Sequence, residues 1–267
     1  MDLIDAPIEI KDDKDSISLE NLKDDIVFND VSFEYSKDSK VFKDLSFRIK
    51  SNSLVGIVGK TGVGKSTLIK LLLRLYNIDS GQIKIGNHNI NGISLKSLRK
   101  NIGLVSQETF LFDGTIYDNI SYPILDTHID KIKRAAELSQ CDEFIDRFPD
   151  GYNTVIGERG QRLSVGQKQR ISIARAILKD PSILIFDEAT SSVDNRTENL
   201  IQKSLKEISK DRTTIAIAHR LSTIRNADLI LVLDDGKIIE SGTHDELVEL
   251  NGNYKYLWDL QTGQLNF

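Results

Sequence analysis

Eight consecutive residues, Gly59-Lys60-Thr61-Gly62-Val63-Gly64-Lys65-Ser66, fit the spacing G-x-x-x-x-G-K-[ST] that cradles a polyphosphate. Glycines at such positions let backbone N–H groups converge on phosphate oxygens, where a Cβ would obstruct positive φ or close approach. Residues 54–58 before the loop are apolar on both faces, and residues 67–76 after it are apolar at helical spacing. Strand, loop and helix are therefore expected in that order. The helix adds its positive end, Lys65 reaches the β- and γ-phosphates, and Ser66 offers a hydroxyl to magnesium. A glycine-rich turn that binds nothing is the weaker alternative, because spacing and context agree.

A second buried run, Ile183-Leu184-Ile185-Phe186, ends in Asp187 and Glu188. Neighbouring strand residues point different ways, so Asp187 can hold magnesium through water while Glu188 faces the γ-phosphate and polarises an attacking water. The same pair could merely cap the next helix. The phosphate loop elsewhere in the chain favours the catalytic reading.

The elements that must position these residues alternate along the chain. Residues 26–28, 31–35, 41–42 and 45–49 are rich in β-formers and separated by polar turns at 37–39 and 51–53, which predicts a small antiparallel sheet. Residues 107–179 carry helical patterns at 129–139, 141–147 and 166–178 and read as an inserted helical subdomain. Strand runs return at 182–186 and 213–218 around a helix at 195–209. Residues 229–234 and 237–241, turned by Asp235-Gly236, suggest a closing hairpin. Together these predict an α/β fold with a parallel sheet covered on both faces. Residues 1–25, with charges dense from Lys11 to Asp15, read as a tether, so folding is expected to start near Ile26. In the tail, Tyr254, Tyr256, Leu257, Trp258 and Leu260 read as helix packing.

Composition narrows the function classes. With 35 Lys+Arg against 40 Asp+Glu, the net charge of −5 opposes a nucleic-acid groove or a polybasic membrane patch. The 39% hydrophobic and 28% charged residues are those of a folded soluble domain. Apolar runs stop far short of the ~18–20 residues of a bilayer crossing. No secretory signal is readable behind Met1. The single cysteine, Cys141, forbids an internal disulfide and fits a reducing compartment.

Leu163-Ser164-Val165-Gly166-Gln167 adds a Ser hydroxyl, a Gly N–H and a helix N-terminus, a second anion site on the same chain. With it, the chain from about Ile26 onwards resembles the nucleotide-binding domain of ATP-binding-cassette (ABC) proteins, whose signature is LSGGQ. The implied fold is a P-loop NTPase (RecA-like) parallel-sheet core, residues 26–106 and 180–267, with an antiparallel β-subdomain and an inserted α-helical signature subdomain, 107–179. Residues 1–25 become a linker from a preceding transmembrane domain. The resemblance implies ATP and Mg2+ as cofactors, with Thr67 completing the phosphate-binding set. It also implies that Ser164, Gly166 and Gln167 serve the ATP of a second nucleotide-binding domain, in a head-to-tail homodimer. Val165 stands where the signature has Gly; its Cβ narrows the backbone but leaves Ser164 and Gly166 able to act.

By the same resemblance, Tyr35 stacks on adenine, and Gln107 is the Q-loop residue that reaches magnesium and the attacking water. Asp194, in Ser191-Ser192-Val193-Asp194, crosses the dimer, and His219 hydrogen-bonds the γ-phosphate. His88, His128 and His244 read as surface residues. The stretch Gln107-Glu108-Thr109-Phe110-Leu111-Phe112, the Glu158-Arg159 pair and the run Ala218-His219-Arg220-Leu221 resemble cassettes of multidrug, lipid and peptide exporters. This implies ATP hydrolysis driving export at the cytoplasmic face of the plasma membrane. Phe110, Leu111 and Phe112 could be core, or an exposed patch receiving a coupling helix of the transmembrane domain. A free ATPase subunit serving a separate permease is an alternative. DNA-repair and chromosome-organising relatives need a coiled coil or a DNA-binding insertion that this compact acidic chain lacks. A non-hydrolysing nucleotide sensor is opposed by Glu188 and His219.

Overall fold

Apolar and polar residues alternate along Ile26–Glu34 (β1) and Lys40–Ile49 (β2), so each strand of this antiparallel pair buries one face. The breaks expected within each strand are bulges. Asp30 (φ 51°) and Asp44 (φ 53°) adopt left-handed backbone where the pairing register shifts. The structure, a computed structural model, describes residues 10–37, 39–124, 126–187, 195–218 and 220–264; side chains at 195–197 and 199 lie outside the description.

Leu54–Val58 (β3) runs into the phosphate loop and Lys65–Leu72 (α1). Residues 80–105, whose patterns are too short to declare themselves, form Ser80–Ile85 (β4), His88–Asn89 (β5), Leu95–Lys100 (α2) and Ile102–Val105 (β6). The helical subdomain follows as Ile116–Ser121 (α3), Ile129–Leu138 (α4), Asp142–Ile145 (α5) and Val165–Leu178 (α6). The chain then returns through Ile183–Asp187 (β7), Asn195–Ile208 (α7), Thr213–Ile217 (β8), Leu229–Asp234 (β9) and Lys237–Gly242 (β10). It closes with His244–Glu249 (α8) and Asn253–Thr262 (α9).

Two sheets result, β2-β1-β4-β5 and β10-β9-β3-β8-β7-β6. The second is parallel except for the β9–β10 hairpin. Its inner strands β3, β7, β8 and β9 are buried on both faces because both are covered. Ile57, Ile183 and Ile185 pack with α1 and the antiparallel sheet, while Val58, Leu184 and Phe186 pack with the helical subdomain. From β3 the chain runs out to β6 at the edge, returns through β7 and β8, and crosses to β9. The order reverses around β3, and a crevice at the carboxyl end of such a strand is where α/β sheets bind ligands.

α1 ends at Leu72, four residues short of the periodic pattern. Arg74 turns left-handed (φ 48°), and Arg99 donates to the carbonyls of Leu73 and Arg74, satisfying the helix end. The tether expected over residues 1–25 is fastened over its described part. Ile17 pairs with Ile93, Leu22 is 2% exposed, and the Leu19 amide donates to Ser97 Oγ at 2.8 Å. Order thus reaches back before Ile26, supplied by hydrogen bonds to Ser97 of α2 and to Ser182 just before β7, with Leu19 and Leu22 packed against the core. Among the described residues no helix is long and apolar enough to cross a membrane.

His244 is a correction to the surface reading. It is buried, its Nδ1 lies 2.8 Å from the Tyr254 hydroxyl, and its ring sits 4.4 Å from that of Trp258. Burial, then the nearby Arg225 charge, lowers its pKa, while Asp245 acts weakly the other way. The unfolded chain therefore takes up a proton near pH ~6.5 that the folded chain refuses until lower pH. Stability from the neutral ring is present above that point and lost as pH falls through it. Urea midpoints should drop between pH 7 and 5, and His244→Gln should flatten the drop; an equally steep fall in the variant would exclude His244 as its source.

Candidate active site

The phosphate loop owes its shape to glycines with no room for a side chain. A Cβ on Gly59 (φ 155°) would lie 2.2 Å from the Leu233 carbonyl oxygen, and one on Gly64 (φ 104°) would lie 2.7 Å from the Phe42 ring. Gly64 is also the N-cap of α1 and contributes no side-chain hydrogen bond, which leaves the helix's first N–H groups to an anion. Lys65 is 7% exposed, and its ammonium donates to the carbonyls of Gly59 and Lys60 at 2.9 Å each. The loop thereby holds its own cation in place.

Around this loop lies a cleft of about 880 Å³, lined by Tyr35, residues 39–41, 61–67, Gln107 and 234–236. The structure thus brings together Tyr35, Thr61, Gly62, Val63, Gly64, Lys65, Ser66, Thr67 and Gln107. Gly59 and Lys60 are not part of the lining; their carbonyls accept from Lys65. Tyr35 stands edge-on to Phe33 and Tyr76, at ring distances of 4.9 and 5.1 Å, with its hydroxyl 3.1 Å from Thr67 Oγ1. That contact ties the aromatic wall to the loop's helix, and with the ring 42% exposed there is area left for a base. Ser66 Oγ donates to Asp187 Oδ1 at 3.4 Å, placing a hydroxyl from the first turn of α1 beside a carboxylate at the end of β7. Such oxygen donors fit Mg2+, which is held by a carboxylate and substrate phosphates more often than by an all-protein cage.

Ser164, Gly166 and Gln167 are not in this cleft lining. Ser164 caps α6: its Oγ accepts from the Gln167 amide while the Gln167 side chain accepts from the Ser164 amide at 2.9 Å. Gly166 is buried. Val165 is the first helical residue, absent from the positive-φ positions and 55% exposed, so its Cβ is accommodated. Glu188, Asp194 and His219 lie outside the described residues. Next to His219, Arg220 forms an ion pair with Glu198 of α7, which also accepts from Ser222 Oγ at 3.2 Å.

The wall formed by residues 39–41 and 234–236 escapes sequence reading. Asp235-Gly236 is legible as a turn, but its packing against Val41 is not; a Cβ on Gly236 would lie 2.2 Å from the Val41 carbonyl oxygen. The aromatic run beyond Gln107 divides by burial. Leu111 is core at 0% exposure, whereas Phe110, Phe112 and Tyr122 remain exposed in a groove of about 770 Å³. Arg175 lies 5.4 and 5.9 Å from the Phe112 and Tyr122 rings, and its burial lowers its pKa to about 10.

Residues 42–191 match the ABC transporter family. The chain is similar to the ATP-dependent lipid A-core flippase of Legionella pneumophila (strain Paris), 44% identical over 265 residues, 99% of this chain and 45% of that protein. It is 50% identical to ABC transporter B family member 6 of Dictyostelium discoideum over 213 residues, 80% of this chain and 31% of that one. A solved bacterial Atm1-family ABC exporter with ATP bound matches it with a TM-score of 0.93 and 42% identity, covering 97% of this chain and 46% of that one. The chain spans less than half the length of each of these three proteins. On these matches, and on the site's geometry, the chain belongs to the ABC transporter family and is one of its ATP-hydrolysing cassettes.

Proposed function

We propose that this cassette binds Mg–ATP, pairs head to tail with a second copy around two nucleotides, and drives export by a transmembrane domain at the cytoplasmic face of the plasma membrane. What supports this reading is that the groups able to meet a nucleotide do not all line one cleft. The cleft holds the phosphate loop, Tyr35 and Gln107, whereas the capped N-terminus of α6 at Ser164 is not among its lining residues. One nucleotide cannot occupy both, so Ser164, Gly166 and Gln167 serve the partner's ATP, and Asp194 crosses between copies.

Each group has a task in that reading. Tyr35 takes the adenine face, while Lys65 and the loop amides of residues 59–67 grip the phosphates. Ser66 and Asp187, with Gln107, would hold magnesium, which supplies charge neutralisation at the phosphoryl group. Glu188 accepts a proton from the attacking water, and His219 hydrogen-bonds the terminal phosphate. Residues 1–25 lead from a transmembrane domain, and the Phe110–Phe112–Tyr122 groove receives its coupling helix, exposed aromatics being apt for such a seat. Names of the similar proteins, a lipid A-core flippase and an Atm1-family exporter, agree with export.

A mixing experiment tests the sharing. Lys65→Ala spoils a chain's own loop, and Ser164→Ala spoils what it offers its partner. Each variant alone should be nearly inactive, whereas equal mixing with random pairing should restore about a quarter of wild-type turnover through one intact composite site per mixed pair. No recovery at any ratio, with pairing shown by cross-linking, would rule out shared sites.

A further inference from the structure

We infer that Gln169, on the signature helix α6, is a positioning residue for hydrolysis that fixes Gln107 by gripping the backbone segment on either side of it. Gln169 is 3% exposed, yet both ends of its carboxamide are engaged. Its Oε1 accepts from Thr109 Oγ1 at 2.7 Å, and its Nε2 donates to the Ser106 carbonyl at 3.4 Å. The two partners demand opposite roles, since a carbonyl only accepts; this orientation of the amide satisfies both. The segment is braced a second time from its own side, where Ser106 Oγ donates to the Glu108 carbonyl at 3.0 Å. Further along α6, Arg175 donates to the Phe110 carbonyl at 2.6 Å.

Gln107 itself is exposed and lines the nucleotide cleft. Its position relative to the signature helix is therefore set by Ser106 and Thr109, and through them by Gln169. Gln169 lies five residues beyond Ser164 on the element that Ser164 caps. One buried amide thus ties the residue facing this chain's nucleotide to the helix offered to the partner's. Loss of the grip should leave triphosphate and base binding intact, because the hydrogen bonds described for Gln169 go to Ser106 and Thr109 and those described for Lys65 and Tyr35 go to the phosphate loop and α1. The geometry of the reacting step should suffer instead, and misplacement of about 1 Å can cost up to ~100-fold in rate.

The inference rests on the ATPase reading, and the experiment separates the two. Thr109→Val removes the hydroxyl at nearly constant volume, Thr109→Ser keeps it, and Gln169→Met removes both hydrogen bonds. Steady-state ATP turnover by the whole chain should show kcat reduced about tenfold or more in Thr109→Val and Gln169→Met, with KM within about twofold of wild type. Thr109→Ser should restore most of the rate, and the double variant should be little slower than Gln169→Met alone. Unchanged kcat in Thr109→Val, equal damage from Val and Ser, or multiplying effects in the double variant would overturn the inference while wild-type turnover leaves the ATPase reading standing. A wild-type chain without turnover would instead sink that reading. If Gln169→Met does not fold, the Val and Ser comparison at Thr109 carries the same test.

Discussion

Glu188→Gln is expected to abolish most ATP turnover, by about 10²- to 10⁴-fold, while ATP binding persists. The amide keeps the size of the carboxyl but cannot take a proton from water. The groups assigned to binding are other residues: Lys65 held between two loop carbonyls, Ser66 beside Asp187, and Tyr35 in the cleft wall. Chemistry and binding should therefore separate. Since ATP favours the closed pair only through its higher affinity for that form, a variant that binds but does not turn over should accumulate as an ATP-bound dimer. Gel filtration with and without ATP and magnesium reads this directly. Undiminished turnover would remove Glu188 from the role of base, and slow turnover without dimer would oppose the head-to-tail pair.

Lys65→Ala should act at the other step, weakening ATP binding by roughly 100-fold, as expected for loss of a charge-assisted contact. Lys65 is buried and its ammonium is tied to the Gly59 and Lys60 carbonyls, so its loss removes a phosphate partner and also leaves two acceptors without their donor. Lys65→Arg sharpens the point. A planar fork keeps the charge but does not fit a point donor shared by two carbonyls, so it should rescue poorly. Titration with a fluorescent ATP analogue measures both variants. Wild-type affinity in Lys65→Ala would show that the loop amides alone hold the phosphates, whereas full rescue by arginine would show that charge alone matters.

The two variants also differ in what the sequence supplies. The phosphate loop is readable because its motif lies within eight residues and recurs wherever backbone must approach phosphate. Only the fold explains why Gly59 is glycine, since the obstructing oxygen belongs to Leu233 on β9. The helix at 129–139 and the strands β7 and β8 are equally open to reading, being long or rich in consecutive apolar and β-branched residues. β4, β5, α2 and β6 were not. They are six residues or fewer, interrupted by Gly81, Gly86 and Gly103, and stabilised by neighbours rather than by pattern.

Charge density misled at the N-terminus. Asp12 reads as a solvated charge, yet its carboxylate accepts from the Leu95 amide at the start of α2 and lies 3.7 Å from the buried Arg74 guanidinium. A polar segment can be ordered when a folded core offers it donors, and nothing local announces that offer. His244 failed for the related reason that its partners, Tyr254 and Trp258, arrive from the next helix.

Local spacing by itself determined the phosphate loop, the alternating strands and helices and the start of the signature helix, and these motifs carry the resemblance to the family. Tertiary structure alone decided which of those pieces share a cleft: Tyr35 beside Thr67, Ser66 beside Asp187, Thr109 beside Gln169 and Arg74 over the N-terminal segment. Short-range backbone preference writes each piece, but the meeting of residues 32 to 121 positions apart follows from strand order and from burying both faces of one sheet.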